Sequence, residues 1–361
     1  MIYLYFLLLA ILSIFSYSHV DPNITLINHP LWEGFRNSMV YLGYYQRSIS
    51  SAIYIIIISL LFYFHYYFNK RHKTVNLYIL TCGIVLALIA AYPFLSHDFF
   101  NYLFDAKILT VYGKNPYLYK ALDFPKDPWL IFMHWTHRTY PYGPFFLGLT
   151  LIPSLLSFGK LILNFILFKF MFAGFYILGV YYLNKINKKY ALFFATSPLI
   201  LIEGLMNNHN DFIALSLGLT GMYFLLKNKK IYSLSFLILS AGIKYITIPI
   251  IFLKKNIRSL TNKVVLCAII LILLYLSIFF EIQPWYFLAL FLFIPIFYNL
   301  ASKLNIFFAG LLFSYFPFIA YGDWGMGSNL KIKHSIVVIF FIINIIYLFM
   351  YNFSNAKKTS K

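Results

Sequence analysis

The segment Ser96–Asp105 carries polar side chains at the spacing of one helix face. Four of them stand at positions i, i+3, i+4 and i+7: Asp98, Asn101, Tyr102 and Asp105. This pattern predicts an amphipathic interfacial helix with its apolar side in lipid or packed on membrane spans. A carboxylate at its start, Asp98, could act as a general base and take the proton of an attacking hydroxyl. The alternative is that His97 and Asp98 only cap the helix.

A second polar cluster spans Glu203–Asp211. Glu203 falls within an apolar run, and an ionisable side chain at membrane depth indicates a functional role. The candidates for binding a sugar, a phosphate or a metal ion are Glu203, Asn208, His209, Asn210 and Asp211. Their spacing fits no standard zinc or manganese motif. The alternative is a turn in which Asp211 caps the following helix.

Two basic residues are candidates for holding an anion. Lys244 lies inside the apolar segment Ile231–Leu253, where a buried lysine needs an anionic partner. A lipid phosphate would suit it, and an internal salt bridge to Glu203 is the alternative. Arg138 precedes the rigid stretch Tyr140–Pro144 and could bind a phosphate at the membrane surface. Its alternative is a place in a loop that simply enters an interfacial helix.

Hydrophobic helices must position these groups. Of the 361 residues, 61% are hydrophobic and 11% are charged, whereas a soluble domain carries about 25% charged residues. Apolar runs near the ~20 residues that cross a bilayer recur from end to end. The sequence therefore predicts an all-α, polytopic transmembrane bundle of about ten full spans with additional interfacial helices, forming a single domain over residues 1–361.

Basic residues set the expected topology. The net charge of +19 comes from short loops between spans, which is typical of cytoplasmic loops and argues against a nucleic-acid partner. The short segment Pro144–Ser157 is expected not to cross, because a crossing would place Lys185 outside. Ile231–Leu253 has basic flanks on both sides. We therefore expect a re-entrant hairpin of two short helices that turns near Gly242–Tyr245 and lines a cavity.

Acidic residues gather on the opposite side. All ten fall in predicted outer loops or at outer helix ends: Asp21, Glu33, Asp98, Asp105, Asp123, Asp127, Glu203, Asp211, Glu281 and Asp323. Acidic residues contribute little to orientation, so their distribution points to polar chemistry outside, although very short inner loops would give part of the same pattern. The largest outer loop, residues 96–160, carries the interfacial helices. We expect the site to face outward from the cytoplasmic (inner) membrane.

Five short motifs in order resemble the GT-C class of membrane glycosyltransferases. The matching segments are His97–Tyr117, Tyr140–Pro144, Phe158–Lys160, Ser197–Asp211 and Gly242–Pro249. The resemblance covers about residues 75–255. It is closest to the bacterial mannosyltransferases that use polyprenyl-phosphate mannose, and more distant to the first mannosyltransferase of GPI-anchor assembly.

The resemblance implies a catalytic role for the outer-loop aspartate, which is Asp98 here. It also implies inverting transfer of a hexose, with mannose expected, from a polyprenyl-phosphate donor to a glycan or glycolipid acceptor, without a nucleotide. The residues then expected to bind substrate are His97, Asn101, Tyr102, Asp105, Asn115, Tyr117, Arg138, Tyr142, Glu203, Asn208, His209, Asn210, Asp211 and Lys244. Many family members carry two adjacent acids where this chain has His97 and Asp98, so the sequence assigns no metal ligand and leaves dependence on a divalent cation open.

Two other functions remain alternatives. A transporter or flippase of lipid-linked sugars would also have many spans, a broken hairpin and the intramembrane charges Glu203 and Lys244. Against it, the sequence shows no inverted repeat, and its acidic residues gather on one side. An O-antigen ligase or polymerase also uses lipid-linked donors, but usually carries its large outer loop late in the chain, whereas here that loop comes early.

Overall fold

The computed structural model describes residues 1–323 and 327–359, with side chains described as far as Tyr351. Positions 324–326 and 360–361 of the predicted single domain lie outside the described residues. The described part is helical and contains no β-strand, which confirms the all-α prediction. Its buried apolar side chains form a connected cluster.

Fifteen α-helices lie in the described ranges. Their bounds are α1 Ile2–Phe15, α2 Pro30–Val40, α3 Arg47–Lys70, α4 Leu77–Leu88, α5 Asp98–Thr110, α6 Pro144–Leu156, α7 Leu161–Ile186, α8 Lys188–Thr196, α9 Asn210–Leu226, α10 Lys230–Ile243, α11 Leu260–Phe279, α12 Ile294–Ala301, α13 Asn305–Phe313, α14 Phe316–Tyr321 and α15 Gly327–Thr359. Short 3-10 segments occur at Ser16–His19, Ala121–Asp123, Pro128–Phe132, Tyr245–Phe252 and Pro284–Phe293, and π segments at Tyr41–Tyr45 and Ile200–Met206.

The protein is a multi-pass membrane bundle. Six described segments are long and apolar enough to cross a bilayer: Ile2–His19, Arg47–Lys70, Leu161–Ile186, Leu260–Phe279, Pro284–Ala301 and Gly327–Tyr351. Helix α8 and the π segment Ile200–Met206, bent by 70°, would add a seventh if they form one span. The expected number of about ten full spans is therefore not confirmed.

Helix α4 is shorter than its apolar run, whereas α10 and α6 lie in segments that the sequence predicts not to cross and are short helices. Helix α4 ends at Leu88 although the apolar run continues to Leu95, and Pro93 in the rest of that run disfavours helical backbone at Tyr92. Helix α10 has 14 residues and ends just before Lys244, where the sequence predicts the turn of a hairpin. Helix α6 has 13 residues, fewer than the ~20 that cross a bilayer.

Helix α5 forms at the predicted place but is covered on both faces. Ten of its thirteen residues are buried, including the polar Asn101 and Asp105. Lys107 pairs with Asp127 at 2.5 Å and lies 3.8 Å from the ring centroid of Trp129, which ties the following loop to the helix. The amphipathic pattern predicted packing of the apolar side, and tertiary contacts cover the polar side as well.

Two of the sequence motifs touch through their glycines. Gly143 stands just before α6, and a Cβ at this position would overlap the carbonyl oxygen of Gly242 in α10. A Cβ on Gly242 would in turn overlap the ring of Phe145. The two backbones therefore approach as closely as only glycine allows, which brings Tyr142 and Lys244 to the same cavity.

We expect Gly143→Ala to lower the melting temperature of the detergent-purified protein. The added methyl group fits only if α6 and α10 move apart, and overpacking of this kind costs about 1–3 kcal/mol. Gly148→Ala in the same helix is the matched control, since open space surrounds that position. Equal melting temperatures for the two variants would contradict the close contact.

Candidate active site

A polar cavity of about 780 Å³ lies where segments from across the chain meet. Its acidic wall residues are Asp21, Asp98, Glu281 and Asp323. Its basic and imidazole wall residues are Arg47, Arg138, Lys244, His19, His97, His134 and His137. A volume of ~300–1,000 Å³ is typical of small-ligand sites, so the cavity is large enough for a sugar and its attached groups.

Asp98 is the first residue of α5, and its side chain is 17% exposed at the cavity wall. Its backbone N–H donates to Ser96 Oγ at 3.2 Å, while His97 makes no side-chain capping bond. Ser96 thus caps the helix start, and the alternative that His97 and Asp98 serve only as caps is not supported. The Asp98 carboxylate is left to face its charged neighbours.

Two nitrogen groups flank the Asp98 carboxylate. Oδ1 lies 3.4 Å from Arg138 Nη2, and Oδ2 lies 3.8 Å from His209 Nδ1. Burial raises the pKa of Asp98, while the positive charges of Arg138 and Lys244 oppose that rise without cancelling it. A carboxylate with a raised pKa accepts a proton more readily than an exposed one, provided it is ionised at the working pH.

His209 lies between Asp98 and a second carboxylate. Its Nε2 is 3.4 Å from Glu203 Oε2, and its ring stacks on Trp285 with centroids 3.9 Å apart. Glu203 accepts a hydrogen bond from the Tyr315 hydroxyl at 2.9 Å. His209 and Glu203 are both fully buried, so a row of three side chains leads from the protein interior to the cavity wall.

The row of Glu203, His209 and Asp98 is held in place by side chains of the turn between the π segment and α9. Asn208 has φ +57°, in the left-handed region that Asn tolerates, and it donates to two carbonyls of the preceding π segment at 3.3 and 3.2 Å. Asn207 donates to Glu203 at 3.1 Å and accepts from the backbone N–H of Leu95 at 3.3 Å. The turn is therefore tied to the chain just before α5.

Lys169, to which the sequence assigned no role, supports the same turn from α7. Its buried Nζ donates to the carbonyl oxygens of Leu205 and Met206 at 3.4 and 2.7 Å. These carbonyls end the π segment and lack helical partners, so the lysine acts as a cap. The apolar run around Lys169 gave no sign of this contact, because the helix end that it satisfies is distant in sequence.

Lys244 pairs with Asp211 rather than with Glu203. Its Nζ lies 2.7 Å from Asp211 Oδ2 and 3.4 Å from Asn210 Oδ1. The alternative of a salt bridge to Glu203 is therefore wrong. Because Asp211 and Asn210 open α9, the contact joins the start of that helix to the break after α10, and the acidic group also suits a helix N-terminus.

Several expected substrate-binding residues stand outside the cavity wall. Those that support the loops around it are Asn101, Tyr102, Asp105, Asn115 and Tyr117, and those buried behind it are Glu203, Asn208, His209, Asn210 and Asp211. Asn101 donates to the Trp135 carbonyl at 3.3 Å, and Tyr117 donates to the Tyr142 carbonyl at 3.0 Å. Only His97, Asp98, Arg138, Tyr142 and Lys244 of the predicted set line the cavity directly.

The surroundings of Asp98 do not fit a divalent cation. His97 stacks on His134 with ring centroids 3.5 Å apart, and burial lowers the pKa of His97 to about 3, with His134 adding to the effect. The ring neighbour of His97 is thus another imidazole. The part of the chain that the structure describes holds no group of three or more His, Cys, Asp or Glu side chains arranged for a metal. The groups nearest to Asp98 are instead Arg138 and His209.

Sequence reasoning missed Arg47, which lines the cavity from the start of α3. It donates to the Ile319 carbonyl at 3.3 Å, lies 5.4 Å from the ring centroid of Tyr44 and packs closely on Gly322. Within residues 1–323 and 327–351 it forms no ion pair with a carboxylate. An arginine at the start of a span is ordinary in a sequence, so only the fold marks it as a cavity cation.

Residues 20–255, about two thirds of the chain, match a family described as MptA_B family, alpha-(1->6)-mannopyranosyltransferase, N-terminal domain. The chain belongs to this family. Comparisons with curated proteins and with solved structures gave no match.

Membership of the mannosyltransferase family confirms the resemblance to GT-C enzymes and makes the protein a glycosyltransferase. The matched range ends at residue 255, where the sequence resemblance also ends, and it begins before that resemblance. It therefore includes Asp21 and Arg47. The wall residues Glu281, Trp285 and Asp323 lie beyond it, so this mannosyltransferase completes its cavity with the C-terminal part of the chain.

We expect Asp105→Asn to stabilise the mannosyltransferase in a pH-dependent way. Burial raises the pKa of Asp105 to about 8, with Arg138 opposing and Asp98 adding to the rise, whereas the carboxyl ionises near pH ~4 in the unfolded chain. Between these values the folded state binds more protons, so stability falls as pH rises. The gain in melting temperature from Asp105→Asn should grow from about pH 5 to 8 and level off above.

The control for this experiment is Asp123→Asn, an exposed carboxylate in the segment between α5 and α6. Melting temperatures measured across the pH range should show no growing gain for that variant. A gain from Asp105→Asn that stays constant with pH would mean that the asparagine acts through packing and not through the lost charge.

Proposed function

We propose that this protein transfers a mannosyl group from a polyprenyl-phosphate donor to a hydroxyl of a glycan or glycolipid acceptor, at the outer face of the cytoplasmic membrane. The observation that supports this best is Asp98, a carboxylate with a raised pKa at the wall of a polar cavity. A donor with a lipid tail also accounts for a site among membrane helices.

In the proposed reaction the acceptor oxygen attacks the anomeric carbon from the side opposite the phosphate, so the configuration inverts. The bond between that carbon and the phosphate oxygen breaks, and its electron pair stays with the phosphate. The proton of the acceptor hydroxyl passes to Asp98 as general base. The products are the mannosylated acceptor and polyprenyl phosphate, and the step needs no nucleotide.

His209 and Glu203 are proposed as positioning residues for Asp98. The imidazole lies between the two carboxylates, and its stacking on Trp285 restricts the ring. A general base works only when it is held in reach of the proton that it takes. We expect His209, which lies 3.8 Å from Asp98 Oδ2, to limit the orientations open to that carboxylate.

The charge that develops on the leaving phosphate needs a cation. The sequence suggested Lys244, Arg138 and His209, but Lys244 is paired with Asp211 and Arg138 with Asp98. Arg47 lines the same cavity without a carboxylate partner in the described ranges. We therefore assign it the leading role in stabilising the phosphate, because a preorganised donor is effective where charge develops.

Family membership favours this enzyme over the alternative of a transporter or flippase. The concentration of acidic groups at one cavity also favours a site that opens to one side: Asp21, Asp98, Glu281 and Asp323 share its wall. An alternating-access path would place its charged groups near the membrane midplane.

Replacing Asp98 should abolish most of the transfer. We expect Asp98→Asn and Asp98→Ala to reduce the rate of mannosyl transfer from labelled polyprenyl-phosphate mannose by about 10²–10⁴-fold, the contribution of a general base. The wild-type rate should rise with pH through the raised pKa of Asp98, because only the ionised carboxylate accepts a proton. Asp123→Asn serves as the carboxylate control. Transfer at the wild-type rate in both Asp98 variants would show that another group is the base.

Replacing Arg47 should slow the same reaction by removing the phosphate partner. We expect Arg47→Met to lower the turnover number by about 10²-fold, and Arg47→Lys to recover part of the loss, because the positive charge returns without the forked geometry. Arg36→Met is the control, since Arg36 contacts a backbone carbonyl away from the cavity. Indistinguishable rates for the Arg47→Met and Arg36→Met variants would exclude this role.

A further inference from the structure

A second cavity, of about 630 Å³, lies beside the polar one and is almost wholly apolar. It is formed by α11, the 3-10 segment Pro284–Phe293, α12, the start of α13 and α15. Of its nineteen lining residues only Ser277 is polar. All of them lie beyond residue 255, in the part of the chain where no sequence motif was found.

One short strip of chain, the segment Glu281–Phe287, separates the two cavities. Its side chains divide between them: Glu281, Gln283, Trp285 and Tyr286 line the polar cavity, whereas Ile282 and Phe287 line the apolar one. The two spaces are therefore back to back along this strip. A molecule with a polar head and an apolar tail could place one part in each.

A buried lysine marks the boundary. Lys333 of α15 pairs with Glu281 at 2.5 Å and donates to Gln283 Oε1 at 3.2 Å, and both partners line the polar cavity. Val337, one turn later on α15, lines the apolar cavity. These contacts fix the strip to α15 at the point where the wall changes from polar to apolar.

The apolar cavity is elongated and opens to the outside of the helix bundle. Leu266 and Ile278 both line it, and the rise of 1.5 Å per residue in a helix places them ~18 Å apart along α11. That distance is more than half of the ~30 Å hydrocarbon layer. Leu274, Ile278 and Val338 in the wall are 45%, 71% and 48% exposed, so a chain can enter sideways from lipid.

We propose that this apolar groove, between α11 and α15, holds the isoprenoid tail of the lipid-linked donor while its sugar phosphate lies in the polar cavity. The inference rests on the proposed function, which supplies a donor of this class. The groove fits a flexible hydrocarbon chain in length and lining. Because it meets the polar cavity along Glu281–Phe287, the phosphate end of the lipid would lie at that border and the tail would extend away from it.

Filling the groove should discriminate between donors by tail length. We expect Leu274→Trp and Val338→Trp to raise the KM for mannosyl phosphate carrying a long polyprenyl chain by roughly tenfold or more, because displaced methylene groups no longer contribute to binding. The KM for mannosyl citronellyl phosphate, whose tail is too short to occupy the groove, should stay near the wild-type value. Transfer from the short-tailed donor is therefore the control reaction, which shows that the variants are folded and active.

Matched controls come from neighbours on the same helices. Leu271→Trp on α11 and Ile339→Trp on α15 alter exposed side chains that do not line the groove. The KM values of these variants for both donors should therefore equal those of the wild type. In parallel, a long-chain donor with a photoreactive group in its tail should label peptides from Leu260–Phe279 and Gly327–Tyr351 in the wild-type protein.

The outcomes separate the two proposals. If the wild-type protein transfers mannose from neither donor, the proposed function fails. If it transfers mannose but the groove variants use long and short donors in the wild-type ratio, or the photoreactive tail labels only other helices, the groove holds bulk lipid or another helix and this inference is wrong. Loss of activity toward both donors alike would also overturn it, because the groove would then serve the fold and not the tail.

Discussion

Free backbone groups at helix ends must find partners in a membrane, and this constraint accounts for the organisation around the cavity. Helix α5 begins there at Asp98, the π segment ends at Met206, α9 begins at Asn210 and α10 ends before Lys244. Ser96, Asn208 and Lys169 satisfy backbone groups at these ends. Broken helices can persist in a membrane protein where polar side chains and a polar space surround them.

The pairing of charged side chains around the cavity follows from the same arrangement of broken helices. An ionised side chain in a low-dielectric interior needs a compensating partner close by, and the cavity region supplies Asp211 for Lys244 and Arg138 for Asp98. These pairs join segments that are far apart in sequence. The catalytic proposal depends on the imbalance that remains, because burial outweighs the compensation at Asp98 and Arg47 forms no described ion pair. A fully neutralised cavity would offer neither a proton acceptor nor a site for phosphate.

Two parts of the chain form the wall of the polar cavity. The family-matched region, residues 20–255, supplies Asp98, Arg138 and Lys244, while the later segment Glu281–Phe287 supplies an aromatic and polar wall. That later segment faces polar space on one side and an apolar groove on the other. The proposed transfer from a lipid-linked sugar to a polar acceptor would need such a border, since neither water nor lipid alone dissolves both reactants.

The sequence by itself determined the all-α membrane class, the start of α5, the break at Lys244 and the motifs that identify a mannosyltransferase. These follow from local rules: apolar run length, helix spacing and turn residues depend only on neighbours in the chain. Only the tertiary structure decided that Lys244 pairs with Asp211, that Tyr102 and Asn115 stand outside the cavity and that Arg47 lines it. Those outcomes depend on which distant segments pack together, as where Gly143 meets Gly242. The number of full spans also depends on where the packed helices bend, as at the 70° bend between α8 and the π segment Ile200–Met206.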